Sequence, residues 1–76
     1  MPHVKVSFAT RDLSTEQQQS FANDLVDVLK KHLSTTDDAI SVEFEEVPST
    51  QWKSSVYDPR IKPQLDSLVK KPGYEM

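Results

Sequence analysis

The chain has 76 residues, with 9 Lys and Arg against 12 Asp and Glu, a single Gly and no Cys. We expect one small domain over residues 1–76, too short to bury a large core unaided; the lack of cysteine excludes disulfides, thiolate metal sites and cysteine nucleophiles. A net charge of −3 argues against a nucleic-acid partner, which needs a basic face, and no apolar run approaches the ~18 residues that span a membrane.

The first residues also lack a signal-peptide pattern, so the expected setting is the cytoplasm. Residues 2–8, PHVKVSF, alternate: Pro2, Val4, Val6 and Phe8 fall on one face, His3, Lys5 and Ser7 on the other. That is the pattern of a half-buried strand, and Pro2 suits its first position, where a missing N–H breaks no ladder. After a connector from Ala9 to Leu13, Ser14 and Gln17 have the spacing of a capping box. Phe21, Leu25, Val28, Leu29 and Leu33 then recur at helical spacing, with Ala22 and Val26 widening the stripe. Lys30, Lys31 and His32 favour the negative end of the helix dipole. The spacing predicts a helix over 15–33.

Ser34 to Asp38 is polar and reads as a loop. Ile40, Val42 and Phe44 alternate with Ser41, Glu43 and Glu45, which predicts a second strand reaching about Val47, ended by Pro48. Two strands joined by a helix of this length form a parallel βαβ unit with a right-handed crossover. Asp58-Pro59 offers an N-cap and first turn, and Ile61, Leu65, Leu68 and Val69 make a shorter apolar stripe. The predicted C-terminal helix runs from about Asp58 to Lys71, bent or begun at Pro63 and stopped by Pro72-Gly73. The fold class is α/β (α+β). Two strands cannot stand alone and both edges are open, so we expect a homodimer formed through the sheet. The polar second face (His3, Lys5, Ser7, Ser41, Glu43, Glu45) argues against stacking into anything larger.

Most catalytic patterns are missing. Gly73 is the only glycine, so no Gly-rich phosphate loop exists. Glu45 and Glu46 point to opposite faces of a strand and cannot share a proton. His3 and His32 are too few and too scattered for a metal site, and none is expected. Pro2 stands apart. Removal of Met1 would expose it as a secondary amine fixed at the start of a strand. An α-amino group in water titrates near pH 8, and desolvation favours its neutral form. Such an amine can serve as a general base near pH 7.

PHVKVSF at the start, a capped amphipathic helix and then ISVEFEEVPSTQW, with Trp52 six positions after Glu46, resemble the 4-oxalocrotonate tautomerase family. The resemblance covers about residues 2–52. The remainder, YDPRIKPQLDSLVKKPGYEM, is similar to the dimeric branch of that family and unlike its hexameric members, which end in a β-hairpin. The resemblance implies a tautomerase-like βαβ fold and a cofactor-free isomerase that interconverts enol and keto forms of a 2-oxo acid. It implies that Pro2 takes the enol proton and delivers it to carbon, and that Trp52 forms an apolar wall beside it. Arg11, one residue closer to the proline than the family's first-loop arginine, is the candidate for the substrate carboxylate. Ser41 stands where the family's hexameric enzymes carry a second arginine from a neighbouring subunit. A hydroxyl carries no charge, so the oxyanion needs another donor; His3, Lys5 and Arg60 are candidates. A monoacid such as an aryl enolpyruvate suits this less cationic site better than a diacid. The missing arginine also leaves open a non-enzymatic dimeric module that binds a small carboxylate or a protein partner.

Overall fold

The computed structural model describes residues 1–76. Strands β1 (His3–Ala9) and β2 (Ser41–Val47) pair in parallel, in a register that runs from His3 opposite Ser41 to Ala9 opposite Val47. Helix α1 (Thr15–Leu33) connects them. The capping box forms: Ser14 Oγ accepts the Gln17 N–H at 3.1 Å, and Gln17 Oε1 accepts the Ser14 N–H at 2.9 Å. Each bond satisfies a backbone donor that a helix start leaves without a partner. Ser34 ends α1 in the left-handed region at φ 51°. The loop that follows holds a 3-10 turn, Asp37–Ala39, with Lys30 paired to Asp37 at 3.3 Å.

Alternation along the strands separates two faces. Phe44, at the centre of the apolar one, stacks on Phe21 of α1 with ring centroids 4.8 Å apart and meets Phe8 edge-on at 6.1 Å. The other face carries charge and is covered in part from the C-terminal half. Glu45 accepts two hydrogen bonds from the Arg60 guanidinium, at 2.5 and 3.2 Å, and one from Ser7 Oγ at 2.7 Å. Lys5 Nζ lies 3.7 Å from the same carboxylate. These partners, Arg60 first and Ser7 next, hold the Glu45 carboxyl at about 2, well below its ordinary value of 4.5. Two parallel N–H···O bonds fix the guanidinium in one orientation.

The C-terminal half departs from the sequence expectation. The helical path does not begin at Asp58. After Pro48 it opens with a 3-10 turn (Ser49–Gln51) and continues as a π-helical segment, Lys53–Ile61, and a further 3-10 stretch, Lys62–Ser67. Asp58 caps nothing; its carboxylate pairs with Lys53 Nζ at 2.9 and 3.1 Å. Pro59 lies inside the π-helical segment, where its ring and missing N–H do not suit regular α spacing. Pro63 lies in the first turn of the last stretch, and Gln64, at φ −123° and ψ 27°, kinks it from within. The helical path ends at Ser67 rather than Lys71. Ile61, Leu65 and Leu68 are half-buried, whereas Val69 is fully exposed.

Only Val47, Val56 and Tyr57 are buried, and α1 contributes no buried residue. The chain exposes 5851 Å², against about 4,700 Å² for a compact monomer of its mass. Its radius of gyration is 14.2 Å, against about 11 Å for a compact chain of this length. The fold is an open two-layer shape, 37 × 31 × 18 Å, with apolar surface left uncovered, Val28 and Leu33 of α1 among it. No helix is long and apolar enough to cross a membrane.

Candidate functional site

The residues singled out in the sequence fall into two groups, one at each end of β1. At its start, the Pro2 carbonyl accepts the Ser41 N–H at 3.2 Å, which fixes the proline against the first residue of β2. Pro2 is half-buried, while Met1 before it is fully exposed and packs against nothing. Next to Pro2 the His3 ring bridges two residues of β2, with Nδ1 2.6 Å from Ser41 Oγ and Nε2 3.5 Å from Glu43 Oε1. Ser41 thus lies beside Pro2, but its hydroxyl is already engaged.

At the other end of β1 the chain forms a pocket of about 430 Å³ that opens to solvent, lined by Phe8, Arg11, Ser49, Trp52, Tyr74 and Met76 among others. The connector reaches it by a turn at Asp12, whose φ of 55° is in the left-handed region that Asp tolerates better than most residues. Arg11, just before that turn, makes no ion pair or hydrogen bond within the chain. It is a free cation beside an aromatic wall. Trp52 enters at the first turn after Pro48, and its Nε1–H donates to the Tyr74 hydroxyl at 3.0 Å. Tyr74 in turn leans on buried Tyr57, with ring centroids 5.8 Å apart.

The single chain therefore brings Pro2 to Ser41 and Arg11 to Trp52, but it does not bring the two pairs together. At about 3.3 Å per strand residue, the path from Pro2 to Phe8 is about 20 Å long. The other cations considered as donors are committed elsewhere. Arg60 is held on Glu45, whose hydrogen bond raises its pKa, and also donates to Ser7 Oγ, while Lys5 lies against the same carboxylate. No three His, Asp or Glu side chains converge on a point that a metal ion would need.

Two features of this region are not legible in the sequence. Tyr74 follows Pro72-Gly73, and nothing in its spacing links it to Trp52. The clamp of Arg60 on Glu45 joins a strand to a helical stretch that the sequence reading began elsewhere, so its partners were not paired. The only signal available was a glutamate on a solvated strand face with an arginine downstream, and that pattern is too common to use.

Comparison with known proteins adds independent information. A family model described as tautomerase enzyme matches residues 2–55. Tautomerase PptA of Cronobacter sakazakii is 53% identical over 76 residues, all of both chains. Tautomerase PptA of Pectobacterium carotovorum is 53% identical over 74 residues, 97% of each chain. Tautomerase PptA of Escherichia coli O127:H6 is 36% identical over 76 residues, again all of both chains.

Proposed function

The chain belongs to the tautomerase family of isomerases, and from that premise we propose that it interconverts the enol and keto forms of a 2-oxo acid without a cofactor, with Pro2 as the acid–base group. Once Met1 is removed, the Pro2 nitrogen is a secondary amine. It takes the proton of the enol hydroxyl; the electron pair moves through the enolate; the protonated amine then delivers a proton to the adjacent carbon. While Met1 is attached the same nitrogen is an amide and has no basicity. Full exposure of Met1 favours its removal, since nothing in the fold depends on it.

The observation that carries this reading is the unpaired Arg11 beside Trp52 in a pocket at the far end of the strand that begins at Pro2. An arginine with no partner in the chain suits a substrate carboxylate, and an indole wall keeps water from the amine and favours its neutral form. A homodimer joins the two ends. If the open β1 edges of two copies pair antiparallel about a two-fold axis, the start of one β1 lies opposite the end of the other. Pro2 of one protomer then faces Arg11 and Trp52 of its partner. The uncovered surface supports such pairing: the chain exposes roughly 1,100 Å² more than a compact monomer would, and a standard stable interface removes about 800 Å² per partner.

The test is ketonisation of phenylenolpyruvate and of 2-hydroxymuconate at pH 6–8, with loss of Met1 confirmed by mass spectrometry. Turnover of the aryl substrate, reduced at least about tenfold in kcat/KM by Pro2→Ala, or roughly 1.4 kcal/mol, is the expected result. Turnover of neither substrate with Pro2 free would favour a module that binds a carboxylate without converting it.

A further inference from the structure

The hydrogen bond between Trp52 and Tyr74 is not one that burial demands. Trp52 is half-buried and Tyr74 is 44% exposed, so water could satisfy both groups. The chain instead closes a 3.0 Å contact between residues 22 positions apart, and it holds the Tyr74 ring a second time against buried Tyr57. A side chain fixed at both ring and hydroxyl, on the wall of a pocket, is oriented for something in that pocket.

The direction of the bond says what that is. The indole N–H can only donate, so the Tyr74 oxygen accepts. Its own hydrogen finds no acceptor in the chain and is free to be donated. Accepting one hydrogen bond while donating another polarises the hydroxyl and strengthens the donated bond. A phenol is also a more acidic hydroxyl than that of serine, and so a better partner for an oxygen that gains negative charge. Of the other hydroxyls near the site, Ser7 donates to Glu45, Ser41 is engaged with His3 at the opposite end of β1, and Ser49, also on the pocket wall, is an alkyl hydroxyl that no N–H in the chain polarises. Arg11, on the same pocket wall, has the charge that a carboxylate needs. In a 2-oxo acid the carboxylate and the 2-oxygen sit on adjacent carbons, so one pocket must address both.

We propose that Tyr74 donates its hydroxyl hydrogen to the 2-oxygen of the acid whose carboxylate binds Arg11, and so supplies the oxyanion contact that Ser41 does not. The assignment rests on the tautomerase reading above. Tyr74 keeps its proton throughout: the proton leaving the enol oxygen goes to the Pro2 nitrogen, and the proton reaching carbon comes from that nitrogen. The Trp52 N–H acts one step back, as the group that aims the phenol.

Tyr74→Phe retains the ring against Tyr57 and removes only the hydroxyl. For phenylenolpyruvate the expected result is a ~10- to 100-fold fall in kcat with KM changed less than about threefold, since the contact tightens as charge develops. Trp52→Phe keeps an aromatic wall, loses the N–H, and should lower kcat by a smaller factor. A purely structural tyrosine would give Tyr74→Phe wild-type kcat, or a raised KM alone, and either result overturns the assignment while leaving the tautomerase reading intact. If free Pro2 gives no turnover in the wild-type protein, that reading fails, and calorimetric titration with phenylpyruvate decides for Tyr74 by itself. Binding weakened at least about fivefold by Tyr74→Phe supports the donated bond to the 2-oxygen; unchanged binding, or no binding to either protein, overturns it.

Discussion

If each site draws Pro2 from one protomer and Arg11 from the other, two impaired variants should repair one another. Pro2→Ala replaces the proposed secondary amine by a more mobile primary one of different basicity and leaves a small second residue that still permits loss of Met1. Arg11→Gln removes the free guanidinium from the pocket at the far end of β1. A hydrogen bond to a charged group contributes about 1.5–3 kcal/mol, so this change alone should lower kcat/KM by ~10- to 150-fold. In a mixed dimer of the two variants, one site combines both lesions and the other combines intact Pro2 with intact Arg11. Random reassortment of equal amounts makes about half the dimers mixed, each with one working site, so activity should recover to about 25% of wild type per protomer. The assay is ketonisation of phenylenolpyruvate before and after the two proteins are unfolded together in urea and refolded. The expected signal stands well above either parent. The ~20 Å between Pro2 and the pocket along β1 is the reason to expect it. No recovery, with mixed dimers shown by native mass spectrometry, would refute the shared site and require that Pro2 meet Arg11 within one chain.

Two further outcomes follow from packing and charge. Phe44→Ala removes the ring that stacks on Phe21 and meets Phe8; as Phe44 is only half-buried, the loss should be about 2 kcal/mol, below the 3–5 of a fully buried phenylalanine, read from urea unfolding at fixed protein concentration. Glu45 gives a signed pH dependence. Its folded pKa lies at about 2, below the ordinary 4.5, so the unfolded chain binds the proton more readily, and the stability from this group is complete above pH ~4.5 and lost as pH falls towards ~2. The slope of stability against pH in that window should be flatter in Glu45→Gln, and equal slopes in the two proteins would show that the Arg60 clamp does not perturb the carboxylate.

How much was legible in the sequence depended on how local each signal was. The bounds of α1 followed from a capping box and an apolar stripe, both read within a few residues, and Ser14, Gln17 and Leu33 all stand where that reading put them. The strands were legible from alternation, and their parallel pairing from the length of the helix between them. The C-terminal half was not. Two prolines offered two rival starts, and neither governed: Lys53 captures Asp58, and Pro59 is absorbed into a wider helical turn. The site divides in the same way. Pro2 and Ser41 come together through strand register, which alternation limits to matching faces but does not fix. Trp52 and Tyr74 meet through the irregular return of the tail, for which no periodicity exists. That Arg11 is free and Arg60 is bound could not be read from residue type, because only the position of Glu45 under Arg60 distinguishes them.

The small interior has a calorimetric consequence. The heat-capacity change of unfolding grows with the apolar surface that unfolding exposes, and ordinary domains show about 12–15 cal/mol/K per residue. A lone protomer with three buried residues has little left to expose, so its increment should fall below that range and its melting should be shallow. If two copies pair as proposed, the missing burial returns, and with it the increment and the sharpness of the transition. Dilution would then broaden the melting curve as well as lower its midpoint. In such a protein, cooperativity depends on concentration as well as on the chain.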